Sequence, residues 1–293
     1  MSPHQHDPSS TSSPLVAVTG ATGRIGGAVA AQLRAGGLAP RLVVRDASRA
    51  PGWADDVAVA SYGDRRAATA ALTGVDILLM VSASESADRL TQHRTFIDAA
   101  AAAGVRHIVY TSFLSAAPDA VFTLARTHWA TEEHLRASGA GLTVLRDSFY
   151  ADFLPDLAVD GVIAGPAGTG RVGAVARTDV ARAATAVIGD LAAGDRRHDG
   201  AVYELTGPEA LTLAEAAAVI TRATGRPTVY REQTLEEAYA SRSVYGAPDW
   251  EVDAWVSTYT AIASGALDRV TDGVERLTGR RPLSLAQLLA DHR

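Results

Sequence analysis

The sequence predicts an α/β protein: a parallel sheet with helices on both faces, followed by a smaller, mainly helical C-terminal lobe. Three observations predict it. An apolar β-type run, Val16-Ala17-Val18-Thr19, feeds a glycine-rich turn that opens an alanine-rich helical stretch. Strand-like and helix-like stretches then alternate six times up to residue 146, the rhythm of βα units whose sheet is wrapped on both faces. The run Val75-Asp76-Ile77-Leu78-Leu79-Met80-Val81 is almost continuously apolar, as a strand covered on both sides must be.

The first strand is expected over residues 15–19 and the first helix over 24–35. Between them lies Gly20-Ala21-Thr22-Gly23-Arg24-Ile25-Gly26. A helix start carries unpaired N–H groups and partial positive charge, so it attracts an anion. Strand, glycine turn and helix in that order is the arrangement that seats a dinucleotide pyrophosphate. The bland alternative is a tight βα turn with no ligand. Gly20, Ala21, Thr22, Gly23, Arg24 and Ile25 are therefore candidate cofactor contacts in a Rossmann-type sheet.

The second strand, 41–45, ends in Arg45-Asp46. An acidic residue at this place holds a ribose 2′-hydroxyl, whereas the guanidinium of Arg45 suits a 2′-phosphate. With Arg24 as a second positive charge, the expected cofactor is NADP, and Asp46 is what keeps NAD open. A third strand, 57–61, leads to Asp64, which either meets an adenine amino group or caps the next helix. The strand at 75–81 ends in Ser82-Ala83-Ser84, small enough for a cofactor to lie against the sheet edge.

A helix is expected at 88–103, closed by Gly104, then a strand at 105–110 ending in Thr111-Ser112. A helix at 122–138 and a strand at 142–146 follow, and Asp147-Ser148-Phe149-Tyr150 comes directly after that strand. Beyond it the pattern loosens. The glycine-rich stretch 161–173 reads as a hairpin, 178–189 as a helix, 202–205 as a strand and 249–265 as a helix carrying Trp250, Trp255 and Tyr259. Thr212-x-x-Glu215, Thr234-x-x-Glu237 and Ser284-x-x-Gln287 are capping boxes that mark helix starts. The expected organisation is a disordered tail at 1–13, a nucleotide-binding core at 14–150, and a largely substrate-binding lobe at 151–293 with some elements returning to the core.

Composition narrows the function. At 293 residues and 47% hydrophobic, the chain has ample core. It lacks an apolar run near the ~18 residues of a membrane span, and residues 1–13 have no signal-peptide pattern, so a soluble cytoplasmic protein is expected. Zero cysteines exclude disulfides and thiolate metal sites, and no metal site is expected. A net charge of −6 argues against a nucleic-acid surface. The expected partner is a small-molecule substrate, with a homodimer left open. All 27 basic residues are arginine, so a mechanism that needs a lysine amine is excluded.

In order along the chain stand Thr19-Gly20-Ala21-Thr22-Gly23, Val44-Arg45, Tyr62-Gly63-Asp64, Gln92-His93-Arg94, Ala103-Gly104-Val105, Tyr110-Thr111-Ser112, His128-x-x-Thr131-Glu132, Leu145-Arg146-x-x-x-Tyr150 and Tyr203-Glu204-Leu205-x-Gly207. With these the chain resembles the NmrA-like branch of the atypical short-chain dehydrogenases, and most closely its bacterial NADPH-dependent quinone oxidoreductases. The resemblance implies that the glycine turn and Arg45 bind NADP. It implies that residues 82–84 and 147–152, with Asp147, Ser148 and Phe149 among them, line the cofactor and pocket. It also puts Arg171 where relatives carry a basic residue near the cofactor. One departure is that relatives usually read Arg-Asn-Gly where this chain has Arg146-Asp147-Ser148.

The usual short-chain dehydrogenase pair, Tyr-x-x-x-Lys, is replaced here by Leu124-Ala125-Arg126-Thr127-His128. His128, at the lysine position, is a candidate proton donor or ribose contact, against a structural helix histidine. Ser112 is a candidate for orienting a substrate oxygen, against a cap. Tyr150 is a candidate phenol donor or aromatic wall. His93 and His107 are expected to be structural. A quinone takes hydride readily, so a sparse site that contributes proximity and orientation suffices. The expected activity is NADPH-dependent hydride transfer to a quinone or similar conjugated acceptor. The alternatives are a tailoring enzyme of specialised metabolism acting on an aromatic or polyketide substrate, and a non-catalytic redox sensor of the NmrA type.

Overall fold

The structure, a computed structural model, describes residues 13–290. The tail expected over 1–13 therefore lies outside the described residues, apart from an exposed Ser13. Strands β1 (Val16–Thr19), β2 (Arg41–Val44), β3 (Val57–Val59), β4 (Ile77–Met80), β5 (His107–Phe113) and β6 (Gly141–Asp147) alternate with helices. Those helices are α1 (Arg24–Ala35), α2 (Arg65–Leu72), α3 (Arg89–Ala102) and α4 (Thr123–Ala137). There follow β7 (Ala158–Val159), β8 (Val162–Gly165), β9 (Arg171–Val172), α5 (Arg177–Ala192), β10 (Val202–Leu205), β11 (Leu211–Thr212), α6 (Leu213–Thr224) and β12 (Val229–Glu232). The last helices are α7 (Leu235–Ser243), α8 (Asp249–Ala263), α9 (Gly273–Thr278) and α10 (Leu285–Ala290).

Seven strands form one parallel sheet in the order β10-β6-β5-β4-β1-β2-β3. Alternate residues of each strand serve opposite faces. Val16 and Val18 pack with Val29 and Leu33 of α1, Val187 and Ile188 of α5, and Val274 of α9. Ala17 faces the other layer, where Leu72, Phe96, Ile97 and Leu135 of α2, α3 and α4 meet Leu78, Met80 and Ile108. Both faces are thus covered, which is why the strands read as unbroken apolar runs. The chain order reverses between β1 and β4, so a crevice opens at their carboxyl ends, where open α/β sheets take ligands.

The segment after β6 is shared between two layers. Helix α5 packs against α1, and β10 extends the sheet beside β6. The remaining elements build a separate apolar cluster around Leu114, Leu154, Ile163, Leu213, Ile220, Tyr259, Ile262 and Leu285. All three capping boxes form: at Thr212 and Glu215, at Thr234 and Glu237, and at Ser284 and Gln287.

The hairpin expected at 161–173 is placed differently. The hairpin is β7–β8, turned by Asp160 (φ 49°) and Gly161 (φ 78°). β8 also pairs in parallel with β12, and β9 pairs with β11. Gly165 and Gly170 are not turn residues. A Cβ at Gly165 would run into the Tyr259 ring, and one at Gly170 into the Ile262 carbonyl. These glycines exist to let α8 pack closely, and glycine density alone does not separate packing from turning.

Candidate active site at the carboxyl edge of the sheet

The glycine turn closes on itself through Gly23 N–H to the Gly20 carbonyl (2.8 Å), with Gly23 at the N-cap of α1 in extended backbone and no side-chain cap. The first N–H groups of α1 are therefore left for a ligand. A Cβ at Gly26 would lie 2.5 Å from both the Thr19 and Gly20 carbonyl oxygens, so glycine there lets α1 begin directly above the strand end. Ala21 and Ile25 bury their side chains in the core and offer the crevice only backbone, while Thr22 and Arg24 are exposed.

Arg45 is exposed just past β2. Its neighbour Asp46 is engaged elsewhere: its carboxylate accepts from Ser48 N–H (2.9 Å) and Ser48 Oγ (2.7 Å), and those bonds hold it below the usual carboxylate range. A carboxylate committed to Ser48 is not presented to a ribose, which leaves the guanidinium as the feature at this position. Asp64 takes the second of its two expected roles, accepting from Ala67 N–H (2.9 Å) as the cap of α2.

Beneath the turn, Thr19 Oγ1 donates to the Leu79 carbonyl (3.1 Å) and accepts from Val81 N–H (2.9 Å). The Tyr62 hydroxyl sits 2.6 Å from that oxygen and donates to the Val81 carbonyl (2.6 Å), its ring stacked on Phe96. This knot fixes the ends of β1 and β4 against each other. The next segment is fixed by its backbone. Ser82 N–H donates to Thr111 Oγ1 (2.8 Å) and Ala83 N–H to His93 Nε2 (2.9 Å). Ser82 and Ala83 therefore have no free N–H for a cofactor. Together with the exposed Ser84 they present side chains.

Arg89, which carried no signal in the sequence, is the organiser of this region. It is 4% exposed, and its guanidinium donates to the Ala83 carbonyl (2.9 Å), Thr127 Oγ1 (3.0 Å) and His128 Nε2 (3.0 Å), all neutral acceptors. Because an arginine can only donate, His128 Nε2 accepts. Nδ1 then carries the proton and donates to the Tyr110 hydroxyl (3.0 Å). His93 is set the same way: Nε2 accepts from Ala83, so Nδ1–H donates to Thr131 Oγ1 (2.9 Å), which donates to the Thr127 carbonyl (2.7 Å). Burial, with the charge of Arg89 adding to it, pushes His93 down to about 3 and His128 well below the usual imidazole range. His128 is a neutral, fully engaged side chain, which argues for the positioning role and against proton donation.

Ser112 is also engaged. Its hydroxyl donates to Glu132 Oε1 at 2.6 Å. Glu132 is fully buried and further accepts from Arg146 Nε (2.9 Å) and Nη2 (2.7 Å) and from Arg136 Nη2 (2.9 Å). Burial opposes its charge, but the bonds from Arg146 and Ser112 outweigh it and hold the carboxyl below its ordinary range. The cluster pins α4 to β5 and β6, and Ser112 keeps no proton for a substrate.

Past β6, Asp147 Oδ2 accepts from the Tyr150 hydroxyl (3.0 Å), and Arg177 lies over the Tyr150 ring, 4.9 Å from its centroid. Asp147 Oδ1 and Ser148 Oγ are buried without a hydrogen-bond partner among the described residues. Phe149 packs edge-on to Phe153 and lines a cleft of about 700 Å³ together with Trp255, Tyr259, Arg231 and Arg242. Arg171 has a different neighbourhood from the one the resemblance implied: it is paired with Glu215 (2.9 and 3.0 Å) and bonded to the Ala210 carbonyl. Its charge is already balanced there. The residues that remain fit a dinucleotide: an open helix start for the pyrophosphate, an exposed Arg45 with no side-chain partner among the described residues, and buried polar atoms unmet among those residues at the carboxyl end of β6.

Comparison with known proteins agrees with this fit. A family described as NAD(P)H-binding matches residues 20–191, more than half of the chain. The chain is 36% identical over 282 residues to quinone oxidoreductase 2 of Escherichia coli (strain K12), covering 93% of this chain and 96% of that one. It is 29% identical over 285 residues to an NAD(P)H azoreductase of Xenophilus azovorans, covering 95% and 98%. The crystal structure of the Escherichia coli NADPH-dependent quinone oxidoreductase complexed with NADPH superposes with a TM-score of 0.85 at 34% identity, over 95% of this chain and 99% of that one.

Proposed function

The chain belongs to the NAD(P)H-binding family, and from that premise we propose that it is an NADPH-dependent oxidoreductase that reduces a quinone or a similarly conjugated small molecule. The observation that carries the reading is the juxtaposition of two features at one sheet edge. One is a helix start left open beside Arg45, which has no side-chain partner among the described residues, and the other is an aromatic cleft lined in part by Phe149, just past β6. Bound NADPH supplies the hydride.

The protein's own residues hold and orient. The N–H groups of α1 take the pyrophosphate, and Arg45 takes the 2′-phosphate. The Arg89–His128–Tyr110 chain keeps the segment at 82–84 and helix α4 in fixed relation. Phe149, Phe153, Trp255 and Tyr259 give a flat acceptor an apolar, stacking surface. With Ser112 and His128 engaged, the site suits an acceptor whose reduced anion is stabilised by its own ring. Cytoplasmic residence, where NADPH is available, completes the reading.

The test is NADPH oxidation in the presence of simple para- and ortho-quinones, with NADH as control and Arg45→Ala alongside. Turnover that prefers NADPH is expected. Loss of one charge-assisted phosphate contact, on the order of 1.5–3 kcal/mol, weakens NADPH binding by about 10- to 150-fold and leaves NADH unchanged. Tight NADPH binding with no turnover on any quinone would overturn the reductase reading in favour of a sensor.

A further inference from the structure

Asp147 ends β6 with 1% of its surface exposed, and so does the adjacent Ser148. Each has a side-chain oxygen with no partner among the described residues. The neighbouring arginines do not neutralise the carboxyl: Arg146 is turned to Glu132, and Arg177 lies on the Tyr150 ring. An unpaired carboxylate in so dry a place is far more costly than the neutral acid. Burial accordingly pushes Asp147 well above the usual carboxylate range, opposed by the bond from Tyr150.

These two unmet atoms stand at the carboxyl end of the strand, on the side of the crevice away from Arg45 across the sheet order. A dinucleotide seated on α1 with its 2′-phosphate at Arg45 sends its nicotinamide end in this direction. The nicotinamide is uncharged when reduced and a cation when oxidised, so the two forms differ in how they treat a nearby carboxyl. Resting on the NADPH reading above, we propose that Asp147 is a proton-binding site linked to the redox form of the cofactor. It keeps its proton beside the reduced nucleotide and releases it to solvent when the oxidised nucleotide binds. An amide at this place would have no ionisable proton to exchange, so the linkage rests on the carboxyl of Asp147 itself.

The other ionisable groups around Asp147 are buried or engaged by other partners. Tyr150 on the same segment and Tyr110 on β5 are pushed up by burial. Arg89 of α3 is bonded to the Ala83 carbonyl, Thr127 and His128, and Arg177 of α5 lies over the Tyr150 ring. His128 of α4 is held neutral, and Glu132 of α4 is held ionised by Arg146. On β10 the register partner is the apolar Leu205, and Glu204 beside it is bonded to Arg269. Asp152 is engaged by Arg177 N–H.

The experiment is calorimetric titration of the full chain with NADP⁺ and, separately, NADPH, in buffers of different ionisation enthalpy between pH 6 and 9. This counts protons exchanged on binding. Any contribution from the 2′-phosphate is common to both nucleotides and cancels in the difference. The wild type should release up to one more proton with NADP⁺ than with NADPH, and the ratio of the two dissociation constants should shift by up to about tenfold per pH unit. Asp147→Asn should bind both nucleotides with equal proton counts and a pH-independent ratio. Equal counts in the wild type, a measurement that needs no variant, would overturn the proposal, as would a difference that survives Asp147→Asn. Absence of binding by either nucleotide would instead overturn the cofactor reading on which it rests.

Discussion

Both ring nitrogens of His128 are engaged by groups that decide its state, Arg89 on one side and Tyr110 on the other. Together with His93 it is buried neutral, and that makes stability depend on pH. Unfolded imidazoles titrate near 6.5, while the folded ones titrate lower. Below pH 6.5 the unfolded chain therefore binds more protons, so stability is full above that value and is lost as pH falls. The unfolding free energy from urea titration should decline between about pH 6.5 and 4.5, by up to roughly 1.4 kcal/mol per pH unit for each histidine, and the slope should shrink in His93→Gln. A flat profile would contradict the assignment. Glu132 gives a second expectation. Removing this buried acid with Glu132→Ala strands Arg146 and should cost about 3–5 kcal/mol, measured by the same unfolding. At this scale the sequence was only partly legible. Asp46 looked like a rival to Arg45 because its bond to Ser48 is a matter of local geometry. Arg89 was one arginine among 27, and its three acceptors come from two other stretches of chain with no motif spacing to connect them.

Helix α1 shows how an element is fixed by one residue. Its seat over β1 depends on Gly26, whose missing Cβ leaves room for two backbone carbonyls. Gly26→Ala should push α1 off the strand end. It should cost on the order of 1–3 kcal/mol in unfolding free energy and weaken NADPH binding by at least about tenfold in a fluorescence titration, because the helix start is the anion seat. Unchanged binding would show that the seat lies elsewhere. The elements built from local rules were readable in advance. The capping boxes at Thr212, Thr234 and Ser284 formed as their spacing required, and the strands of the core followed their apolar runs. The stretch 161–173 was not readable, since β8 and β9 take their partners, β12 and β11, from tens of residues downstream. A glycine fitted against Tyr259 looks no different in sequence from one in a turn.

For the whole molecule, the crevice runs along the carboxyl ends of strands that carry a helix layer on each face. A nucleotide bound across β2, β1, β4 and β6 should therefore resist unfolding of all of them together. NADPH at 100 times its dissociation constant should add about 2.7 kcal/mol, seen as a rise in Tm, and the gain at the same concentration should shrink in Arg45→Ala. No rise at saturating NADPH would exclude binding at this edge. The sheet has a further consequence, in the order of synthesis. Strands β3, β2, β1, β4, β5 and β6 are all made by Asp147, but the strand that covers the outer edge of β6 ends at Leu205. At typical elongation rates that interval lasts on the order of 3–12 s. Throughout it, the nascent chain presents an open edge rich in Val and Leu to whatever strand passes by. The ribosome thus sets a window in which this protein is most exposed to mispairing, and pausing before β10 lengthens that window while pausing after it does not.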